Sequence, residues 1–357
     1  MSAMSGLVFA IEEARLSDAA VVAELDAWVR AHPGSTPFHR PAWILGVEAG
    51  TGQKAKMLVA RAGGTTILGL LPLTYIRSAL FGRALVGSGF AVDGGILSTH
   101  RQVSEGLADA AWTLAQTLGC DTLELRGGQG PRAQVWQEKA DAYLGFARPL
   151  AADDEAELKA VPKRHRAEIR KGIGNDLSFE TGRDKRLRDI HYRLYAHSVH
   201  HLGTPVFPRA LFDQMLDRFG EDADIALVSK DGKPLSAVIS LYHRGACMPY
   251  WPGAAEGARA LRSNEYLYFR LMGAARERGC AVFDFGRSKV GTGPAAWKKS
   301  WGFEGEPLGY YLRTAPGKAT RDVNPLSPQY RRKVELWKKL PESVATFIGP
   351  HIARGLG

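Results

Sequence analysis

Apolar positions along this chain fall into two recurring patterns. Short alternating or continuous runs suit strands, and longer runs with apolar residues three and four apart suit helices. Met57–Arg61 and Ile67–Tyr75 flank Gly63-Gly64, and Ile225–Ser229 and Leu235–Tyr242 flank Asp231-Gly232. Gly-Gly and Asp-Gly between apolar runs predict tight hairpins, because the turn needs positive φ at its centre. A helical pattern opened by Ser104-Glu105 stops at Gly119-Cys120 and leads into the strand Thr122–Leu125. A second, opened by Asn264-Glu265, stops at Gly279-Cys280 and leads into Val282–Phe285. Ser and Asn suit helix starts, and Gly suits the stop.

These elements recur in order. Gly232 follows Gly64 by 168 residues, Pro205 follows Pro37 by the same 168, and Gly279 follows Gly119 by 160. Each copy also begins with a strand, Leu7–Glu12 and Leu177–Thr181. Strand, helix, hairpin, further strand, helix, strand thus occurs twice, which predicts a duplicated α/β domain. The shorter last spacing puts about eight extra residues in the first copy, within Ile76–Leu97. The expected domains are residues 1–150 and 151–315, then a basic amphipathic tail, 316–357. In the tail Arg331, Arg332, Lys333, Lys338 and Lys339 flank Trp337, and Val344–Ile352 follows. Such a segment either packs on the domains or lies on an anionic lipid surface.

The chain's 357 residues fit two domains of ordinary size. Its net charge of +10 favours anionic partners: phosphate-bearing substrates, RNA or an acidic membrane surface. Cys120, Cys247 and Cys280 are widely spaced, which argues against a disulfide framework and a zinc site and fits a reducing compartment. Glu12 and Glu13 stand where a signal peptide is apolar, and no run approaches the ~18 apolar residues of a membrane span. A cytoplasmic protein is expected, with a peripheral contact of the tail to the inner membrane as the alternative to its packing on the domains.

The densest chemistry lies in Asp284–Trp301. A buried strand ends at Phe285, and Gly286 and Gly291-Thr292-Gly293-Pro294 let backbone approach a ligand. Arg287, Lys289, Lys298 and Lys299 add positive charge around Trp297 and Trp301. Acyl transfer needs this combination, because the carbonyl oxygen gains negative charge in the transition state. Plainer roles compete: Asp284 as a strand-end backbone binder, the lysines as a solvated pair, the tryptophans as a core stripe.

Arg166 and Arg170 share one face of a predicted helix over Lys163–Lys171, a row that suits phosphate or simply a solvated inter-domain helix. His197 and His201 have the i, i+4 spacing of helical metal sites, beside His191 and His200. The acidic partner of such motifs is missing, so no metal site is expected, and His201 is assigned to the substrate side. A turn at Tyr250-Trp251-Pro252-Gly253 is a candidate aromatic wall.

Four stretches resemble the FemAB family, in particular its members associated with the exosortase (PEP-CTERM) system and exopolysaccharide loci. They are Thr36-Pro37-Phe38-His39-Arg40-Pro41-Ala42-Trp43, Leu202–Pro208, Phe283–Pro294 and Trp297-Lys298-Lys299-Ser300-Trp301-Gly302-Phe303. The resemblance implies an α/β (α+β) fold of two tandem GNAT-like domains, each a mixed, mostly antiparallel sheet flanked by helices, with a C-terminal helical tail. It implies an N-acyltransferase or aminoacyltransferase acting on an amine of a cell-envelope or exopolysaccharide precursor.

On this view Lys298 stabilises the oxyanion or leaving group, Asp284 orients the amine or Lys298, and Trp297 completes the family's aromatic–lysine pair. Arg287, Ser288, Lys289, Lys299, Arg166, Arg170, His201, Thr204 and Trp251 are expected to bind substrate. No cofactor is expected; the donor is either aminoacyl-tRNA-like, with tRNA as a partner, or acyl-CoA. Coenzyme A-using GNAT domains carry a [Gln/Arg]-x-x-Gly-x-[Gly/Ala] loop after the central strand, and His243-Arg244-Gly245-Ala246-Cys247 does not match it. A carrier-bound donor is therefore preferred. A coenzyme A-dependent acetyltransferase and a non-catalytic scaffold for polysaccharide export at the membrane are the alternatives.

Overall fold

The structure is a computed structural model describing residues 7–139, 141–319, 321 and 328–357. The chain runs β1 (Ala10–Glu13), α1 (Ala19–Ala31), α2 (Pro41–Thr51), β2 (Lys54–Ala62), β3 (Thr66–Ser78), β4 (Gly82–Gly87), β5 (Leu97–Ser98), α3 (Arg101–Thr117), β6 (Thr122–Arg126), β7 (Gln137–Glu138), β8 (Tyr143–Pro149) and α4 (Asp154–Ala160). It continues with α5 (Lys163–Ile173), β9 (Ser178–Gly182), α6 (Lys185–Leu202), α7 (Arg209–Phe219), β10 (Ala223–Lys230), β11 (Lys233–His243), β12 (Ala246–Ala254) and α8 (Ser263–Glu277). The last elements are β13 (Val282–Lys289), α9 (Gly293–Ser300), β14 (Glu306–Pro307), β15 (Tyr310–Thr314), α10 (Pro328–Lys338) and α11 (Glu342–Ala353).

The described residues of 1–140, 309–323 and 354–357 form one compact unit, and those of 141–308 and 324–353 a second. The first holds a sheet of order β1-β2-β3-β4-β6-β15-β7, with β5 on β3; the second holds β14-β8-β13-β12-β11-β10-β9. Pairing is antiparallel except at β4–β6 and at β12–β13. Each parallel pair spans a helical crossover, α3 or α8, because parallel neighbours cannot be joined by a tight turn. Both sheets are thus mixed and mostly antiparallel, and both hairpins form where Gly63-Gly64 and Asp231-Gly232 predict them.

The domain limits at 150 and 315 do not coincide with the unit limits. β8 closes the first repeat in sequence but pairs with β13 in the second sheet. β15 closes the second repeat but pairs with β6 in the first. Each repeat's terminal strand therefore completes the other's sheet. Local periodicity identifies such strands but carries no information on their non-local partners.

Helix starts also differ from expectation. The N-cap of α3 is His100; Ser104 sits inside the helix, its Oγ donating to the Gln129 Oε1 at 2.7 Å. The N-cap of α8 is Arg262, which adopts the left-handed conformation at φ 54°. The face of α8 bearing Leu267, Leu271, Met272 and Ala275 is buried with Val238 and Phe283. Each large apolar side chain so buried stabilises the unit by about 1.5–3 kcal/mol.

The expected tail forms α10 and α11, which pack in the second unit. α6 ends at Gly203 with φ 79°, and a Cβ there would meet the Val334 side chain at 2.5 Å, so only glycine admits α10 this closely. The His197 Nδ1 lies 3.0 Å from the Glu342 Oε2 of α11. Leu336, Val344 and Phe347 remain exposed. Tail residues 320 and 322–327, and the side chains of Tyr330 and Arg331, lie outside the described residues. Cys120 and Cys247 are buried free thiols, and Cys280 is half-buried at the end of its turn. Among the described residues no helix is long and apolar enough to cross a membrane.

Candidate active site

The second unit brings the candidate chemistry together at β13 and the helix after it. β13 pairs with β8 through a register shift between Asp284 and Arg287, a β-bulge centred on Gly286 at φ 63°. A bulge re-aims neighbouring side chains and leaves carbonyls without ladder partners. Here α9 supplies the partner. Lys298 Nζ donates to the carbonyls of Phe285, Gly286 and Arg287 at 2.6, 3.2 and 2.9 Å.

An ammonium has three hydrogens, and these three acceptors engage all of them. Lys298 is only 9% exposed, and burial pushes its amine down to about 8, against the pull of Asp284. Asp284 accepts from the Gly286 N–H at 2.7 Å, and burial raises its carboxyl above the ordinary range. The side chains expected to face a reacting carbonyl therefore hold the bulge.

The bulge and α9 are backed by aromatic packing. Trp297 lies 5.1 Å from Tyr268, 5.4 Å from Phe285 and 5.7 Å from Trp301, ring centre to ring centre. Trp301 is fully buried, whereas Trp297 is half-buried and reaches a cavity of about 790 Å³. That cavity lies where the loop before α8 meets α5 and α9. Its polar lining includes Arg164, His165, Arg259, Arg262, Lys299 and Ser300.

Arg262 is held by an ion pair with Glu168. Arg164, Arg259 and Lys299 are exposed and have no ion-pair partner among the described residues. Glu168 and Glu265 are the acids of the lining, so cations outnumber carboxylates four to two. A helix N-terminus adds the partial positive charge of its amides, and the combination suits an anion.

His165 is the one imidazole in this lining. It is 8% exposed and packs 4.8 Å from Trp301 and 6.2 Å from Trp297. Its Nδ1 lies 3.2 Å from the Ser300 Oγ, which donates at 2.6 Å to the Trp297 carbonyl. The serine has one hydrogen, and the shorter bond takes it, so the Nδ1 of His165 must be the donor. The neutral ring then carries its lone pair on Nε2, a buried atom without a partner among the described residues. Burial lowers the imidazole's affinity for a second proton, opposed by Glu265 and Glu168. The result is a neutral, tautomer-fixed base.

The remaining expected residues lie elsewhere. Arg166 donates to the carbonyls of Lys159 and Val161 at 2.9 Å each and so closes the chain between α4 and α5. Arg170 is exposed on the same helix. Arg287 stacks 4.3 Å over the Tyr143 ring, Ser288 is buried, and Lys289 pairs in register with Tyr143. His201 is exposed, with Nδ1 2.9 Å from the His197 carbonyl, and Thr204 closes the end of α6 through its N–H to the Val199 carbonyl.

Residues 250–253 form no turn. They lie in β12, where Trp251 occupies a bulge at φ 57°, packs 4.9 Å from Phe212 and accepts from the His191 Nε2 at 2.8 Å. Residues 243–246 are a hairpin turn, so the loop entering the crossover helix is 255–262, carrying Arg259 and Arg262. Among the described residues no cluster of three His, Cys, Asp or Glu is placed to hold a metal.

Comparison with known proteins bears on the same region. Residues 159–299 match the family model described as an acetyltransferase (GNAT) domain. None of the curated proteins matches the sequence. The crystal structure of FemX superposes over 89% of this chain and 98% of its own, with a TM-score of 0.66 at 13% identity. A tandem GNAT protein from the clavulanic acid biosynthesis pathway covers 87% and 100%, at 0.56 and 14%. L-PGS from Bacillus licheniformis covers 89% and 97%, at 0.52 and 12%. The chain thus has the mixed α/β fold of FemX and tandem GNAT proteins, and residues 159–299 form a GNAT acetyltransferase-like domain.

Proposed function

We propose that this protein is an acyltransferase that moves an acyl or aminoacyl group from a phosphate-bearing donor to an amine, with its reacting centre at the α8 cavity of the second unit. One observation carries the reading: His165, whose buried Nε2 has no partner among the described residues, lines a cavity whose cations outnumber its acids. Arg164, Arg259 and Lys299 hold the donor's phosphates, with Arg262 fixed beside them by Glu168. His165 Nε2 takes the proton that the amine nitrogen loses as the new C–N bond forms and the donor's ester or thioester bond breaks. That proton then passes to the departing oxygen or sulfur, which leaves neutral. Lys298 and Asp284 act by holding the Gly286 bulge and α9 in place.

The proposed acceptor is an amine of a cell-envelope or exopolysaccharide precursor. That assignment, and the link to the exosortase system, rest on the four sequence stretches quoted above. An aminoacyl-tRNA donor is favoured by the resemblance of the four quoted stretches to the FemAB family; a coenzyme A donor is favoured by the position of the cavity at a helix N-terminus. Thermal-shift titration with acetyl-CoA, desulfo-CoA and an aminoacyl-tRNA mimic tests both. Stabilisation by coenzyme A compounds alone selects the acetyltransferase reading, and stabilisation by none of the three contradicts the donor site. The exposed Leu336, Val344 and Phe347 of the tail, beside Lys338 and Lys339, are proposed to touch an anionic membrane surface.

A further inference from the structure

The first unit holds a second basic cavity, independent of the reading above. It has a volume of about 540 Å³ and is lined by Lys54, Arg77, Arg83 and Arg354, with no acidic side chain. Lys54 pairs with Glu48 at 2.8 Å. Arg77, Arg83 and Arg354 are exposed and have no side-chain hydrogen bond or ion pair among the described residues. Arg77 and Arg83 stand directly opposite each other in the β3–β4 ladder. Like charges so placed destabilise a sheet, and ordinary surface design avoids them.

The third arginine is brought in by a built connection. Gln53 is 4% exposed, and its Nε2 donates to the carbonyls of Arg77 at 3.2 Å and Arg354 at 2.7 Å. Its Oε1 accepts from the Arg77 N–H at 2.8 Å. One buried amide thus ties the end of the chain to β3 and sets Arg354 beside Arg77. Arg321 adds bonds to the carbonyls of Gly355 and Leu356, and Arg126 one to Gly357 at 2.8 Å. Gly355 lies so close to Ser78 that a Cβ would meet its Oγ at 2.5 Å. The segment carrying Arg354 is fixed along its length.

Guanidinium groups recognise phosphate oxygens bidentately, and several converging without a counter-charge leave their attraction for an anion unspent. The volume lies within the roughly 300–1,000 Å³ of small-molecule sites. We propose that this cavity binds the diphosphate group of a small molecule, held by Arg77, Arg83 and Arg354 with the rest of the ligand against Tyr75.

Isothermal titration of inorganic pyrophosphate at low salt into the full chain tests this. An Arg164→Gln/Arg259→Gln background removes two of the three unpaired cations of the other cavity. That protein should bind one pyrophosphate, and adding Arg77→Gln/Arg83→Gln should weaken it about tenfold or more. Arg354→Gln alone should weaken it to a lesser degree, and it decides the matter if the quadruple variant melts early. Absence of binding in the background protein, or binding unchanged by these substitutions, would overturn the proposal. So would association with anionic phospholipid vesicles, lost in Arg77→Gln/Arg83→Gln, without any pyrophosphate binding.

Discussion

Ser300 fixes the tautomer of His165: its hydroxyl gives its single hydrogen to the Trp297 carbonyl at 2.6 Å and so receives the Nδ1–H of the imidazole, 3.2 Å away. The lone pair of the neutral ring is thereby on Nε2, and a serine of α9 sets the tautomer of a side chain on α5. Ser300→Ala should leave the fold intact and free the tautomer. Transfer should slow by about tenfold with little change in donor KM, in keeping with the modest share of one neutral hydrogen bond. Steady-state kinetics measure both parameters.

Activity should depend on pH through His165. Burial holds its affinity for the second proton below the ordinary imidazole value of 6.5. The neutral ring is the active form, so kcat/KM should rise as pH climbs through a midpoint under 6.5 and then level off. His165→Gln should abolish that acidic limb and lower kcat by about 10²–10⁴-fold. A pH–rate profile of both proteins, with circular dichroism as the fold control, measures this.

Lys298 should matter for stability before chemistry. Lys298→Met keeps the unbranched apolar stem, one atom shorter, but strands the carbonyls of Phe285, Gly286 and Arg287. Unmaking buried hydrogen bonds of this kind should cost roughly 2–4 kcal/mol in urea unfolding. The folded amine titrates at about 8, below its ordinary 10.5. Between those values the unfolded chain binds more protons, so this residue makes stability rise with pH across that window. The difference in unfolding free energy between wild type and Lys298→Met should change with that slope from pH 8 to 10.5.

Arg164→Gln and Arg259→Gln should raise the donor KM by about tenfold together and leave kcat largely unchanged, since phosphate binding is equal in ground and transition states. The salt dependence of KM should flatten in the same variants, because two released counter-charges are lost.

Phe347→Ser with Leu336→Ser should reduce co-sedimentation with anionic vesicles while leaving the melting temperature unchanged, because both side chains are already exposed. Undiminished co-sedimentation would remove the tail from membrane contact.

What could be read from the sequence divides along the range of the interactions. Gly63-Gly64 and Asp231-Gly232 announce their hairpins because turn geometry is decided within four residues. The partners of β8 and β15 are more than a hundred residues away, and nothing local distinguishes the sheet each strand joins. The start of α8 is hidden because Arg262, a poor capping residue in the left-handed conformation, is tied by a tertiary contact to Glu168 and a local one to the Arg259 carbonyl.

In the candidate site, the strand end and the helix carrying Trp297 and Lys298 were legible as local structure. The contacts of Lys298 were not, because its acceptors are bulge carbonyls 11 to 13 residues earlier. His165 passed as one member of a basic run. Its burial against Trp301 was the missing signal, although its helical spacing from buried Ile169 offered a hint. Arg259 and Arg262 join this lining because the loop entering α8 follows β12, a placement that depends on the parallel β12–β13 pairing and not on local pattern.

The central claim is that the α8 cavity is where the acyl group leaves its donor. Transfer of a labelled acyl group to hydroxylamine, from acetyl-CoA and from a charged tRNA acceptor-stem analogue, measures it most directly. The account predicts transfer from at least one donor by the wild type, lost at least a hundredfold in His165→Gln and weakened in KM by Arg164→Gln/Arg259→Gln. Transfer that survives both sets of substitutions at wild-type rate and KM would contradict it.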